Sequence, residues 1–157
     1  MPISETTLLF FDSSCLVAAS GSPTGGSSLL LAICARGFLR GAVSHAVLAE
    51  AEGNILTNLP AQALTRYHQE ILRIPLIVVP TPSAPEREAA AAITGAKDAH
   101  VLASALVINA RFLITLDKRL WNRINQAEEL SICALSPGQF ITTKLPTHPL
   151  YPIIRPR

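Results

Sequence analysis

The sequence predicts an α/β fold in which helices cover both faces of a central, mostly parallel five-stranded sheet. Two observations support this prediction. The predicted strands are continuous apolar runs, which is typical of strands buried on both faces. Segments with apolar residues at helical spacing separate these runs, so strand and helix alternate along the chain. We therefore expect a single-domain, three-layer α/β/α structure.

Capping residues, glycines and prolines set the boundaries of the predicted elements. Ser44 is a candidate N-cap and Pro60 a candidate first residue of a helix, while Gly37, Gly95 and Asn109 end or interrupt helices. The predicted order is strand 8–11, helix 27–36, strand 42–43, helix 44–56, helix 60–73, strand 75–80, helix 86–93, helix 97–109, strand 112–116, helix 118–126 and strand 131–135. The glycine-rich segment 21–26 is predicted to be a loop.

Length and composition predict one domain, residues 1–143, followed by a proline-rich tail, residues 144–157, that we expect to be extended. Hydrophobic residues make up 49% of the chain and charged residues 15%. This apolar excess indicates either a sheet covered on both faces or a subunit interface. The net charge of +2 permits an anionic partner without requiring one.

The N-terminal region does not resemble a membrane anchor or a signal peptide. Charged residues interrupt the most apolar stretch, 28–51, within the length that a membrane span requires. Glu5 and Asp12 are unlike the basic start and long apolar run of a signal peptide. We expect a cytoplasmic protein without membrane association. The three cysteines share no metal-binding spacing and are predicted to be buried small hydrophobes.

Aspartates directly follow two of the apolar strands. Asp12 comes after strand 8–11, and Asp117 comes after strand 112–116. In open α/β sheets the ligand crevice lies outside the carboxyl ends of the strands, so the two acids meet there if these strands are neighbours. Asp98 starts the helix that leads into strand 112–116, which places it at the same edge. We expect the three carboxylates to converge.

A cluster of ionised carboxylates predicts a bound cation. Two unit charges about 4 Å apart repel by about 4 kcal/mol at an effective dielectric constant near 20, and a divalent ion offsets this repulsion. Oxygen ligands favour Mg²⁺ or Mn²⁺ over zinc. Two alternatives stay open from the residues alone. Asp98 can instead cap its own helix, and spacing does not decide whether Glu50 or Glu52 is a fourth acid.

Four short motifs contain these acids. In chain order they are FDSSCL at 11–16, VSHAVLAE at 43–50, KDAHVLASA at 97–105 and LITLDKR at 113–119. Together they resemble the PIN-domain ribonucleases, a family that includes the VapC-like toxins of toxin–antitoxin pairs. The order of the motifs makes the resemblance specific, and it extends nearly to Phe140. It implies a PIN-like fold.

The resemblance also implies a function. It implies an endoribonuclease that hydrolyses RNA phosphodiester bonds with one or two Mg²⁺ or Mn²⁺ ions, and, for a toxin, an antitoxin partner. The implied metal-binding and catalytic quartet is Asp12, Glu50, Asp98 and Asp117, with Glu50 preferred over Glu52. Ser14 and Thr115 match the family's small polar positions near the site. The alternative is a PIN-fold module that binds RNA or protein without catalysis.

Basic residues and histidines near the predicted site can be functional residues or ordinary surface residues. Lys118, Arg119 and Arg123 are candidate contacts to the RNA backbone, and a solvated helix face is the alternative. His45 and His100 are expected to be exposed or hydrogen-bonded to a carboxylate, and we do not include them among the catalytic residues.

The apolar excess is also consistent with self-association. Leu106 and Val107 lie away from the predicted core stripe of helix 97–109. An apolar surface left over on a helix can pair with its copy across a twofold axis. We therefore expect a homodimer.

Overall fold

The centre of the molecule is a five-stranded sheet. The computed structural model describes residues 1–155. The strands are β1 (Leu8–Phe11), β2 (Arg40–Ser44), β3 (Ile77–Val79), β4 (Phe112–Ile114) and β5 (Cys133–Leu135). Their order in the sheet is β3-β2-β1-β4-β5, and every neighbouring pair is parallel. The predicted α/β fold is confirmed, with a sheet that is parallel throughout.

Helices fill the connections between the strands. They are α1 (Ser13–Gly21), α2 (Gly26–Ala35), α3 (His45–Asn58), α4 (Ala61–Gln69), α5 (Ala84–Thr94), α6 (Ala99–Val107), α7 (Lys118–Gln126), α8 (Pro137–Thr143) and α9 (Tyr151–Ile154). Two 3₁₀ turns lie at Ile71–Arg73 and Leu145–Thr147. No individual helix within residues 1–155 has the length and apolarity needed to cross a bilayer, and α1 and α2 meet that test only as a pair bent by 102°.

The two strands that precede the aspartates are neighbours. Phe11 in β1 lies opposite Ile114 in β4. The backbone N–H of Asp12 donates to the Ile114 carbonyl at 3.0 Å, so the parallel pairing continues past the end of β1. Asp12 and the residues after Ile114 therefore leave the sheet side by side, which is the condition under which the two acids were expected to meet.

The middle of the sheet is buried on both faces, as continuous apolar runs predict. Phe10, Phe11 and Leu113 have no exposed surface. The edge strand β3 differs, because 36% of Ile77 and 42% of Val78 are exposed. An apolar run alone does not distinguish a central strand from an edge strand, since only the neighbours decide how much of it is covered.

Helix α1 has no counterpart in the predicted elements. The sequence predicts no helix between Asp12 and the loop at 21–26, whereas the structure has nine helical residues, Ser13–Gly21, with Asp12 as N-cap. Cys15, Leu16 and Ala19 are fully buried. Because α1 packs against α2, α3 and α4, its apolar residues do not follow the one-sided period on which helix prediction depends.

The prediction of an extended C-terminal tail is wrong for the residues that the structure describes. Helix α8 ends at Thr143, directly before this segment, and the turn Leu145–Thr147 and helix α9 lie within it. Prolines stand in the first turn of each, where a missing N–H costs nothing. Leu145 and Ile154 are buried in the core, so the tail is packed on the domain. The rest of the predicted tail, residues 156–157, lies outside the described residues.

Two helix boundaries also differ from the prediction. The helix that follows Pro60 ends at Gln69, and the Ile71–Arg73 turn takes the place of its last residues. Helix α5 begins at Ala84 instead of residue 86, because Ser83 and Glu86 form a capping box around its first turn. Both differences are a few residues long and leave the order of elements unchanged.

Two of the three cysteines are buried, as predicted. All three are free, Cys15 and Cys34 are buried, and Cys133 is half-buried. Burial raises the pKa of the Cys34 thiol to about 12. The Cys15 thiol donates to the Ile114 carbonyl at 3.3 Å. Cys15 and Cys34 are therefore small apolar core residues with unreactive thiols.

Candidate functional site

Hydroxyl groups at the ends of both central strands hold the Asp12 carboxylate. Thr115 Oγ1 and Ser14 Oγ donate to Asp12 Oδ2 at 2.7 and 3.1 Å. The Ser13 backbone N–H donates to Oδ1 at 2.7 Å. Only 7% of Asp12 is exposed. A carboxylate at this depth is stabilised by such hydrogen bonds, and they also set its orientation.

Backbone groups in turn orient the two hydroxyls. The N–H of Leu116 donates to Ser14 Oγ at 3.0 Å, and the N–H of Asp117 donates to Thr115 Oγ1 at 3.1 Å. Each hydroxyl therefore accepts from the β4–α7 connection and donates to Asp12. The structure places Ser14 and Thr115 directly against Asp12, where the sequence predicted small polar residues near the site.

Asp117 has one structural and one uncommitted carboxylate oxygen. It is the N-cap of α7, and its Oδ1 accepts the backbone N–H groups of Arg119 and Leu120 at 3.0 and 3.4 Å. Among the described residues Oδ2 has no hydrogen-bond donor. Capping fixes the side chain beside Asp12 and leaves Oδ2 available for a ligand.

The structure separates the two glutamates that spacing did not distinguish. Glu50 Oε1 accepts from Ser13 Oγ at 2.8 Å, and its Oε2 lies 3.4 Å from His100 Nε2. Glu52 instead points towards α4, where its Oε1 lies 3.4 Å from His68 Nε2. Because Ser13 also donates its N–H to Asp12, it links that acid to Glu50. Glu50 is therefore the glutamate at the carboxyl edge of the sheet.

Asp98 does not cap the helix that it precedes. It occupies the N-cap position of α6, but its side chain accepts no N–H from that helix. Burial raises the pKa of its carboxyl group, and the charges of Asp12, Asp117 and Glu50 raise it further, while Lys97 opposes them. The capping alternative is wrong. The influence of Asp12, Asp117 and Glu50 on the pKa of Asp98 indicates that the four carboxylates lie near one another.

One cavity brings the acids together. Its volume is about 390 Å³, and Asp12, Glu50, Asp98 and Asp117 all line it, with Ser14 beside them. Thr115 is fully buried behind Asp12. The convergence expected from strand order is thus present as a shared cavity at the carboxyl edge of the sheet.

The cavity also contains polar residues that the sequence analysis did not identify. They are Ser13, Lys97, Asn54 and Asn58. Simple signals exist for all of them. Ser13 and Lys97 adjoin Asp12 and Asp98 in the chain, and the two asparagines follow Glu50 at four-residue helical spacing.

The side chains fit a hard divalent cation by their chemistry. Four carboxylates supply only oxygen donors, which suits Mg²⁺ or Mn²⁺ better than zinc. In the part of the chain that the structure describes, no group of three or more Asp, Glu, His or Cys side chains is placed so that it could already hold a metal ion. A divalent cation between the four carboxylates would offset their mutual repulsion.

The basic residues of α7 lie outside this cavity. Lys118, Arg119 and Arg123 are exposed, and none of them lines it. The Arg123 guanidinium donates to the Thr94 carbonyl at the end of α5, so this side chain ties two helices together. Their predicted contact with RNA stays a prediction.

The two histidines have different surroundings. His45 is exposed on the first turn of α3. His100 is half-buried against Glu50, and its Nδ1 is buried without a hydrogen-bond partner among the described residues. The expected contact between a histidine and a site carboxylate is thus present at His100.

Comparison with known proteins assigns the family. A family model described as PIN domain matches residues 9–119, which include all four acids. The chain belongs to the PIN-domain family. No curated protein matches this PIN domain in sequence.

Solved structures share the fold of this PIN domain at low sequence identity. VapBC2 from Rickettsia felis, bound to a DNA fragment from their promoter, has a TM-score of 0.61 and 16% identity over 83% of this chain and 98% of that chain. The Mycobacterium tuberculosis toxin VapC20, described as cleaving the sarcin-ricin loop, has a TM-score of 0.55 and 15% identity over 80% of this chain and 98% of that chain. PAE2754 from Pyrobaculum aerophilum has a TM-score of 0.57 and 19% identity over 83% of this chain and 84% of that chain. The predicted PIN-like fold is confirmed.

Proposed function

We propose that this PIN domain is an endoribonuclease that hydrolyses RNA phosphodiester bonds with Mg²⁺ or Mn²⁺, and that it is a VapC-like toxin. One observation carries the proposal: four carboxylates from separate parts of the chain line one cavity, and the Asp98 carboxylate does not cap the helix that follows it. Acids that repel one another in a cleft are typical of functional sites, and Asp98 makes no capping hydrogen bond that would explain its place there. Membership of the PIN-domain family supports a nuclease.

Asp12, Glu50, Asp98 and Asp117 would hold the metal, as one or two ions. A bound divalent ion lowers the pKa of a coordinated water and stabilises charge on the oxygens of an in-line displacement at phosphorus. We expect the product to carry a 5′-phosphate.

The chain's own polar residues pre-orient two of these acids. Thr115 and Ser14 fix Asp12 through hydrogen bonds to its Oδ2. Ser13 couples Asp12 to Glu50 through its N–H and its hydroxyl. Groups that orient ligands in this way reduce the reorganisation needed on metal binding. We assign these three residues a positioning role.

Cationic side chains near the acids would bind the RNA backbone. Lys97 lines the cavity itself. Lys118 and Arg119 are exposed directly after Asp117, and Arg123 lies one turn further along α7. Phosphate contacts of this kind position a strand without reading its sequence. Because Arg123 already donates to the Thr94 carbonyl, we expect Lys118 and Arg119 to contribute more.

The toxin assignment implies an antitoxin partner. The structures of similar fold include VapBC2 of Rickettsia felis, and VapC20 is described as a toxin that cleaves the sarcin-ricin loop. We propose that an antitoxin segment covers the acidic cavity of this chain. A protein from a neighbouring reading frame that blocks RNA cleavage on addition would support this, and one that binds without affecting cleavage would contradict it. The cytoplasmic location stays a prediction.

Metal-dependent cleavage tests the proposed function directly. The purified chain is incubated with end-labelled RNA and Mn²⁺, Mg²⁺ or EDTA. We expect cleavage with either metal, none in EDTA, and recovery when Mn²⁺ is added in excess, because the carboxylates alone supply no charge stabilisation to the reaction. Degradation of the products by a 5′-phosphate-dependent exonuclease checks the predicted product chemistry.

Two results would contradict this proposal in different ways. Cleavage that persists in EDTA would exclude a metal-dependent mechanism. RNA binding without cleavage under every condition would favour the alternative, a PIN-fold module that binds RNA or protein without catalysis. An RNA of the same length with a non-hydrolysable backbone serves as the control for binding.

We also expect a homodimer formed through α6. Val107 is 44% exposed and Leu106 is half-buried, although most of α6 belongs to the core. Light scattering should give the mass of two chains, and Val107→Asp should shift the protein towards the monomer, because a charge at an apolar interface is costly. A monomer for the unmodified chain at micromolar concentration would refute the expectation.

A further inference from the structure

The acidic cavity extends along α3 beyond the four carboxylates. Asn54 and Asn58 follow Glu50 on the same face of α3, about 6 and 12 Å further along the helix axis at 1.5 Å per residue. Both asparagines line the cavity, as do Val17 and Ala18 of α1, the helix that packs against α3. The cavity therefore has an acidic end and a second, uncharged end, which we call the amide end and define by Asn54 and Asn58.

The amide end has hydrogen-bonding groups that nothing in the described structure uses. Neither the Asn54 nor the Asn58 side chain has a hydrogen-bond partner among residues 1–155, and both are exposed. Each amide presents a carbonyl acceptor and an NH₂ donor. Val17 and Ala18, which line the same cavity, offer only apolar side chains. Such a combination suits a flat ligand with polar edges and apolar faces.

We propose that the amide end is a subsite for one unpaired base of the RNA, next to the phosphodiester that is cleaved. The edge of the base binds the Asn54 and Asn58 amides, and its face lies against Val17 and Ala18. Lys97 is the one cation among the described residues that line the cavity, and it binds the intervening phosphate. The subsite rests on the proposed function in taking RNA as the occupant.

The chemistry favours a base over the other groups of an RNA strand. Phosphate binding is served by cations, whereas the amide end is uncharged. Proteins that recognise RNA sequence mostly contact the edges of unpaired bases. An asparagine amide pairs with adenine through two hydrogen bonds, from the adenine amino group to the amide oxygen and from the amide nitrogen to a ring nitrogen. We therefore expect adenine to be preferred.

Cleavage of a random-sequence RNA pool tests the subsite. The unmodified chain, Asn54→Ala, Asn58→Ala and the double variant are incubated with the pool and Mn²⁺, and the product ends are sequenced. Alanine is a better helix former than asparagine, so we expect the variants to fold. Thr57→Ala, an exposed change on α3 outside the cavity, is the matched control.

We expect the unmodified chain to prefer adenine at one position beside the cut, and the double variant to lose about tenfold of that preference, the effect of one bidentate contact. On a single preferred RNA, KM should rise about tenfold with little change in kcat, because the contact binds ground and transition states alike. Equal base preference and equal KM in all variants, with metal-dependent cleavage intact, would overturn the subsite alone.

Binding measurements separate failure of the subsite from failure of the proposed function. Fluorescence anisotropy with a labelled six-nucleotide RNA is measured on the Asp98→Asn protein with and without the two asparagine substitutions. We expect about tenfold weaker binding without the asparagines. Equal affinities would overturn the subsite even if no cleavage is ever observed. If the unmodified chain cleaves no RNA but the asparagine substitutions still weaken RNA binding, the nuclease assignment is overturned and the base-binding subsite is retained.

Discussion

Asp98→Asn is expected to abolish metal-dependent RNA cleavage while the protein stays folded. A metal ion supplies several kcal/mol of charge stabilisation to phosphodiester hydrolysis, and each 1.36 kcal/mol changes a rate tenfold. Loss of a ligand should therefore lower the rate by about 10³-fold or more. Asparagine has the shape of aspartate but lacks the charge, so it fits the space at the head of α6.

The same substitution is expected to stabilise the metal-free protein at neutral pH. Burial and the charges of Asp12, Asp117 and Glu50 raise the pKa of Asp98. Between the ordinary and the raised pKa the folded protein binds more protons than the unfolded chain, so its stability falls as the pH rises through this window. Above the window the ionised carboxylate opposes folding, and asparagine removes that effect.

Thermal unfolding in EDTA at several pH values checks the stability prediction, and cleavage of labelled RNA checks the activity. We expect a higher melting temperature for Asp98→Asn than for the unmodified chain near pH 7, and a smaller difference towards pH 4. Glu128→Gln removes an exposed carboxylate outside the cavity and serves as the control for lost charge. An Asp98→Asn protein that retains cleavage would remove this residue from the proposed metal site.

Glu50→Gln is expected to lower cleavage by at least about 10²-fold, whereas Glu52→Gln should leave it nearly unchanged. The two glutamates are two residues apart on α3, so the variants differ little in local helix propensity. Glu50 lines the cavity and accepts from Ser13 Oγ, while Glu52 lies beside His68 outside it. Only the first substitution changes the charge available to a metal.

Metal affinity and cleavage rate should be measured on both glutamate variants. We expect Mn²⁺ to raise the melting temperature of the unmodified chain and of Glu52→Gln by similar amounts, since a ligand that binds only the folded state stabilises it. The shift should be smaller for Glu50→Gln. Equal losses of activity in the two variants would mean that the cavity seen here does not define the metal site.

Much of the fold follows from local patterns, because strands that are buried on both faces of a sheet are continuous apolar runs in the sequence. The apolar runs before Asp12 and Asp117 are buried strands, as expected, and the structure adds that they are neighbours. Helix α1 is an element that such local patterns do not predict. It packs against several helices at once, so it lacks the one-sided apolar stripe by which amphipathic helices are recognised.

The site was predictable to a similar degree. Strand order and family motifs indicated the four acids, and all four line one cavity. The asparagines at positions 54 and 58 were not indicated, since an exposed polar stripe on a helix is ordinary. Only the packing of α1 against α3 shows that they line the same cavity as the acids.

By itself the sequence determined the alternation of strands and helices and the acids that follow the central strands, because each depends on neighbours in the chain. Spacing left Glu50 and Glu52 open and only the family resemblance favoured Glu50, whereas the tertiary structure shows that Glu50 is linked to Asp12 through Ser13 and that Asp98 caps no helix. It also decided that the proline-containing tail packs on the domain. These outcomes depend on which face of a helix packs against another element. Contacts between segments that are distant in the chain cannot be predicted from the pattern of neighbouring residues.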